Sequence, residues 1–178
     1  EKGLPAVAMC VSNTYGPGDF LPTPHGGMLA AAVRGKLPFS IDGYDAEVVG
    51  VEDAARALIL AGERGRVGER YIVSERYMSM RDLHEIGCAA VGIAPPRFSV
   101  PIRLMSAAGY GSEALARLRG TDTMLTPLNI RLMHIMSPMD HSKAVRELGW
   151  QPRPVSEAVV AAAHFFRVRG RRAPEGAR

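Results

Sequence analysis

The run Ala6-Val7-Ala8-Met9-Cys10-Val11 limits the fold more than any other stretch of this chain. Six apolar residues follow one another, with Pro5 before them and the turn-rich Ser12 to Asp19 behind. The run has neither the alternation of a strand with one wet face nor the 3.6-residue period of a surface helix. It reads as a short strand buried on both faces, and a parallel sheet is the usual setting for such a strand. Helices have to cover a sheet of that kind, so the chain is expected to be α/β.

The following segments alternate in the way this requires. Gly16, Pro17 and Gly18 break the chain, and Pro22 and Pro24 keep it irregular until Gly26. A helix is expected from about Gly27 to Arg34, then short strands at Phe39–Ile41 and Glu47–Val51 with a turn at Asp42-Gly43. Glu52 and Asp53 place carboxylates at the start of the Ala-rich segment Ala54–Arg64, where the free N–H groups and dipole of a helix favour negative charge. Gly65 stops that helix, and Arg70–Ser74 reads as a strand. Ser79, with Asp82 three residues on, opens a helix to about Val91. Pro101 to Met136 is helical in pattern, with Leu104, Met105, Ala108, Leu115 and Leu118 in one segment and Leu128, Leu132, Ile135 and Met136 in another. Asp140 is expected to cap a helix ending at Gly149, and Ser156 to begin a last one reaching Arg167.

Charge tests the function classes. The formal net charge is +4, but residues 167–178 carry five arginines against one glutamate. Without that tail, seventeen basic and seventeen acidic side chains remain, so the body is neutral. A short Arg/Gly/Pro end reads as a solvated, disordered tail rather than a nucleic-acid arm. No apolar run reaches membrane-spanning length, and Glu1-Lys2-Gly3-Leu4-Pro5 does not open a signal peptide. The expectation is a cytoplasmic chain without nucleic-acid or membrane partners. Cys10 and Cys88 form no CxxC pair and lie in apolar surroundings, so buried free thiols are expected.

Familiar catalytic patterns fail one by one. Gly16-Pro17-Gly18 follows a strand, but a dinucleotide-binding turn needs a third glycine where Leu21 stands, and Pro17 has no N–H to offer a phosphate. His84-Glu85 is followed by Cys88 where a zinc-protease helix would carry its second histidine, and neither a P-loop nor a nucleophile elbow occurs. The histidines at 25, 84, 134, 141 and 164 have no metal-ligand spacing, and each alone reads as a surface or structural group. Neither catalytic nor metal-binding residues emerge from these patterns. Met105, Met124, Met133, Met136 and Met139 suit either an adaptable apolar pocket or helical core packing, and core packing is favoured. Trp150, after a helix stop, reads as a packing anchor.

The segment Ser12-Asn13-Thr14-Tyr15-Gly16-Pro17-Gly18-Asp19 resembles the strand-loop signature that follows the catalytic helix in extended short-chain dehydrogenases/reductases, the NAD-dependent epimerase/dehydratase superfamily. The resemblance continues, in family order, through Val51-Glu52-Asp53-Ala54-Ala55-Arg56-Ala57, through Gly65 to Val73, and through Ser142 to Pro152. It spans nearly all of residues 1–166 and implies the C-terminal half of such an enzyme. Residues 1–35 then correspond to the last part of a Rossmann-like domain. Residues 36–166 correspond to a small α/β substrate-binding region with one strand, near 70–74, returning to the parallel sheet; 167–178 form the tail.

The family places a Tyr-x-x-x-Lys acid/base pair just upstream of this signature. Tyr15, Tyr44, Tyr71, Tyr77 and Tyr110 are followed four residues later by Asp19, Val48, Glu75, Arg81 and Ala114, none of which is lysine. The chain alone is therefore expected to be inactive in hydride transfer and to bind NAD or NADP weakly, the cofactor belonging to the complete enzyme. By position, Val11 and Ser12 would face the nicotinamide, and Asn13 and Tyr15 the substrate, although Val11 stands where many members carry proline. Asn13 and Tyr15 could equally serve only to fix the turn.

One departure bears on substrate class. Nucleotide-sugar members carry an Arg-Asp pair and a histidine where this chain has Ala46, Glu47 and Gly50, and their arginine grips the diphosphate. The resemblance is thus to the dihydroflavonol-reductase-like branch, which implies an apolar aromatic or alicyclic ketone or alcohol as substrate. Two other readings stay open: a non-catalytic binding module, and part of a nucleotide-sugar epimerase. Removing the preceding strands would expose an edge of the Ala6–Val11 strand, so self-association or cover by another segment is expected.

Overall fold

The computed structural model describes residues 3–121, 128 and 137–172. Their elements run β1 (Ala8–Val11), β2 (Asn13–Tyr15), α1 (Pro24–Val33), β3 (Ser40–Asp42), β4 (Asp45–Gly50), α2 (Val51–Arg64), β5 (Arg70–Val73), β6 (Arg76–Ser79), α3 (Met80–Ala90), β7 (Ser99–Pro101), α4 (Ile102–Arg119), α5 (Ser142–Leu148) and α6 (Val155–Arg172). β1 pairs with β5, β2 with β4 and β3 with β7, all parallel, and β6 adds antiparallel to β4. The fold is α/β with small, mainly parallel sheets.

The strand buried on both faces is β4. Ala46 and Val48 enter one core with Leu29 and Val33 of α1, Leu83 of α3 and Val159 and Phe166 of α6. Val49 points the other way, into a second core with Ala57, Tyr71, Val73, Leu148 and Trp150. The period-2 alternation of a strand thus feeds two cores from one segment. β1, expected to be doubly buried, is not. Val7 and Met9 pack on the second core, whereas Ala8 and Cys10 are exposed and Val11 is 39% exposed. The layer of α2 and α5 covers only one face of the β1–β5 pair, and among the described residues β5 is β1's one strand neighbour. Of the two thiols, Cys88 is buried as expected and Cys10 is not.

Local chemistry sets the helix ends. Thr23 Oγ1 accepts from Gly26 N and Pro24 sits in the first turn of α1, where its missing N–H costs nothing. Ser79 Oγ accepts from Arg81 N at the start of α3, and Asp140 Oδ1 accepts from Ser142 N at 2.8 Å ahead of α5. Gly120 and Gly149 close α4 and α5 with φ of 62° and 70°, a conformation that suits glycine.

The tail expected from residue 167 is helical as far as Arg172. Arg167 donates to the carbonyl of Val33, and Arg169 stacks its guanidinium 4.9 Å from the ring centroid of Phe20, so these arginines have local partners that hold the turn. Residues 173–178 lie outside the described part. So do Met124, Met133, Met136 and most of the second helical segment expected before Met136; Met105 is half-buried and Met139 is 38% exposed.

Candidate functional site

The carboxyl ends of parallel strands are where α/β sheets bind ligands, and here β1 runs through a single residue into β2. Ser12 is that residue. Its N–H donates to the carbonyl of Val73 at 3.0 Å, which ties the bend to the end of β5. Val11, Ser12, Asn13 and Tyr15 therefore occupy one strand-bend-strand unit. Ser12 Oγ and Asn13 Nδ2 are buried and have no hydrogen-bond partner among the described residues. Such groups are costly unless something polar meets them.

Tyr15 is directed inward and is 3% exposed. Its hydroxyl donates weakly to Met80 Sδ at 3.5 Å, and burial, with the nearby Tyr44 phenol as a lesser cause, holds its proton on well beyond the usual range. It borders a cleft of about 210 Å³ lined also by Gly16, Asp19, Thr23, Gly26 and Val51. The cleft depends on glycine: a Cβ at Gly16 would sit 2.2 Å from Val51 Cγ1, and one at Gly26 would sit 2.0 Å from Asp19 Oδ2. Asp19 in turn accepts from Thr23 N at 3.2 Å, fixing the loop ahead of α1.

Beside this unit lie two constellations that local sequence patterns do not show. Glu47 on β4 is 1% exposed, and its carboxylate accepts from Ser74 Oγ and from the N–H of Met139 at 2.7 Å. Among the described residues, no lysine or arginine pairs with it. The second constellation is His25 and Tyr44, whose Nδ1 and hydroxyl are 2.6 Å apart. Burial pushes the Tyr44 phenol up to about 12 and lowers the His25 imidazole from its ordinary value. Partners 27, 92 and 19 residues apart leave no spacing signal to find. The only clue to the first was the unusual Ala46-Glu47 in place of an Arg-Asp pair.

No protein-family profile matches the sequence. Among curated proteins, the chain is 25% identical over 96% of its length to a putative dihydroflavonol 4-reductase from Synechocystis, covering 50% of that protein. It is 31% identical over 89% of its length to a 3beta-hydroxysteroid-dehydrogenase/decarboxylase from Arabidopsis thaliana, covering 40% of it. The crystal structure of gox2253 superposes with a TM-score of 0.79 at 33% identity, over 96% of this chain and 52% of that one. The chain belongs to the extended short-chain dehydrogenase/reductase superfamily. It spans about half the length of the relatives it matches, and the motifs it carries are those of the C-terminal half. Solved sugar-nucleotide epimerases share the fold as well, so membership in the superfamily does not choose a substrate. Among the described residues, no helix is long and apolar enough to cross a membrane, and no group of three or more His, Cys, Asp or Glu could hold a metal ion.

Proposed function

We propose that this chain is the substrate-binding portion of an NAD(P)-dependent ketone reductase or alcohol dehydrogenase acting on apolar aromatic or alicyclic molecules. The observation that carries the reading is Glu47. A buried carboxylate held by Ser74 and the N–H of Met139, with Ala46 in place of arginine and no lysine or arginine pairing with it among the described residues, stands where a sugar-nucleotide enzyme needs a cation. Bringing a diphosphate toward it adds like-charge repulsion in a poorly solvated setting. The kinship with a dihydroflavonol reductase and a hydroxysteroid dehydrogenase points the same way.

Val11 and Ser12 would form the margin of the nicotinamide site, and Asn13 and Tyr15 the substrate side. Ser12 Oγ and Asn13 Nδ2, buried and without a partner among the described residues, fit polar groups of a cofactor or substrate arriving at the end of β1. When bound, NAD(P) supplies the hydride. The residues of this chain orient and desolvate, while the general acid/base and the Gly-rich pyrophosphate turn belong to the preceding half of a complete enzyme.

The test is a thermal-protection series on the purified chain with dihydroquercetin, androstanedione and UDP-glucose. Protection by either apolar ketone and none by UDP-glucose is the expected result. The reverse pattern would replace this reading with the epimerase one. Reading the coding sequence upstream of Glu1 for an in-frame Gly-rich turn and Tyr-x-x-x-Lys supplies the second half of the test.

A further inference from the structure

On α6, His164 and Val168 are four residues apart, and so are Phe165 and Arg169, so each pair stands one side chain above the other on the helix surface. Phe20, from the loop ahead of α1, closes against them. Its ring meets that of Phe165 edge-on with centroids 5.3 Å apart, and the Arg169 guanidinium lies 4.9 Å from its centroid. These five residues line an open cleft of about 580 Å³. It shares no lining residue with the cleft beside Tyr15, which Phe166 borders from the neighbouring position of the same helix.

Phe20 is 63% and Val168 54% exposed. Exposed apolar side chains scattered singly are ordinary, but these two border one concavity together with Phe165. The charge beside them is positive. Among the described residues Arg169 pairs with no carboxylate, and a cation above an aromatic face uses none of its N–H donors there. Those donors form a planar fork that matches a carboxylate, and the contact with Phe20 holds the fork in place. A cleft bordered by five side chains is also too small for a stable protein interface, which buries about 800 Å² on each partner.

We propose that this cleft binds a monocarboxylate carrying an apolar ring system, the rings lying against Phe20, Phe165 and Val168 and the carboxylate accepting from Arg169. One cation matches one negative charge. A diphosphate would bring further charge onto an apolar wall that cannot solvate it. The inference is independent of the apolar-ketone reading, because it concerns a different cleft.

The test titrates naphthoate and its neutral isostere naphthamide into the whole chain and follows nitrogen-15 signals of the Phe20, Phe165 and Val168 main chain and of Arg169 Nε. Naphthoate should bind saturably and move those signals, and naphthamide should bind about five- to tenfold more weakly. Arg169→Gln should weaken naphthoate by that same factor and leave naphthamide within twofold, whereas Phe20→Ala should weaken both. Phe20 and Arg169 are exposed, so both variants should fold as the native chain does. Absence of saturable binding, equal affinity for acid and amide, or responses confined to residues away from Phe20 overturns the site. Movement of the same signals on concentrating the chain alone, with no response to naphthoate, would assign the face to a second copy and overturn it as well. None of these outcomes touches the ketone and UDP-glucose series, so the two readings fail separately.

Discussion

The indole Nε1 of Trp150 donates to the main-chain carbonyl of Asp53 at 2.9 Å, joining the segment after α5 to the first turn of α2 across 97 positions of sequence. Trp150 is fully buried against Ala54, Ala57, Tyr71 and Leu148, and the Asp53 side chain beneath it, 2% exposed, meets Arg153 Nε at 3.3 Å. Packing and polar satisfaction converge on one ring. Trp150→Ala should therefore cost about 3–5 kcal/mol, the range for deleting a large buried aromatic. Trp150→Phe, which keeps most of the apolar surface and leaves the Asp53 carbonyl its helical partner but loses the indole hydrogen bond and some packing, should cost about 1–2 kcal/mol. Urea denaturation midpoints would show both; equal values for the two variants would contradict this division.

Glu47 gives a second test of how a buried carboxylate is tolerated. Replacement by leucine removes the charge but strands two donors, the Ser74 hydroxyl and the Met139 N–H. Ser74 retains the Val48 carbonyl at 3.3 Å as an alternative acceptor, whereas among the described residues Met139 N–H has Glu47 alone. The expected net loss is about 2 kcal/mol, with Glu47→Gln milder because its amide oxygen can still accept. A thermal melt of both variants decides it, and a more stable Glu47→Leu would mean that the segment around Met139 is held by something else.

His84 carries a pH dependence. It is 2% exposed on α3, its Nδ1 has no partner among the described residues, and burial lowers its pKa to about 4 from the ordinary 6.5. The folded state binds the proton less readily than the unfolded state, so stability is full above about pH 6.5 and is lost as pH falls toward about 4. Over that window the loss should approach about 3 kcal/mol, from roughly 1.4 kcal/mol per pH unit. In His84→Phe this contribution to the slope should vanish. A denaturation midpoint that is flat between pH 4 and 7 in the native chain would refute the assignment.

The sequence was informative where one residue type answers a local demand. Serine before α3 and glycine after α5 are local solutions to free N–H groups and reversed chain direction, each legible in its own neighbourhood, whereas α1 starts at Pro24 with Thr23 as its cap rather than at the expected Gly27, because a proline in the first turn of a helix looks the same in sequence as one that breaks the chain. β2, β6 and β7 were not visible, because three or four residues are too few to establish a period. The apolar run at 6–11 reads as buried on two faces and buries one, because apolar composition measures only how much surface a segment can bury. The contrast with β4 is instructive: Glu47 interrupts its apolar run, yet both its faces are buried. At the candidate site, Val11, Ser12, Asn13 and Tyr15 came from one contiguous motif, whereas His25, Tyr44 and Ser74 reach their places only through tertiary contact.

The open face of β1 makes the last prediction chemical. Cys10 is exposed, whereas Cys88 is fully buried on α3 and its thiol is pushed up by that burial, so the native chain should react with one equivalent of a maleimide quickly and with the second only on unfolding. The same strand has a free edge among the described residues, and unpaired N–H and C=O groups along an edge invite another strand. Pairing of that edge, by a second copy or by the strands that precede it in a complete enzyme, should slow labelling of Cys10 while leaving Cys88 unchanged. Labelling across a dilution series separates the two sources of cover. Protection that fades on dilution indicates self-association, and protection that appears only when a separately expressed N-terminal half is added indicates that this edge is the seam between the halves. Rapid labelling under every condition would show that the edge stays open and would remove the argument for either partner.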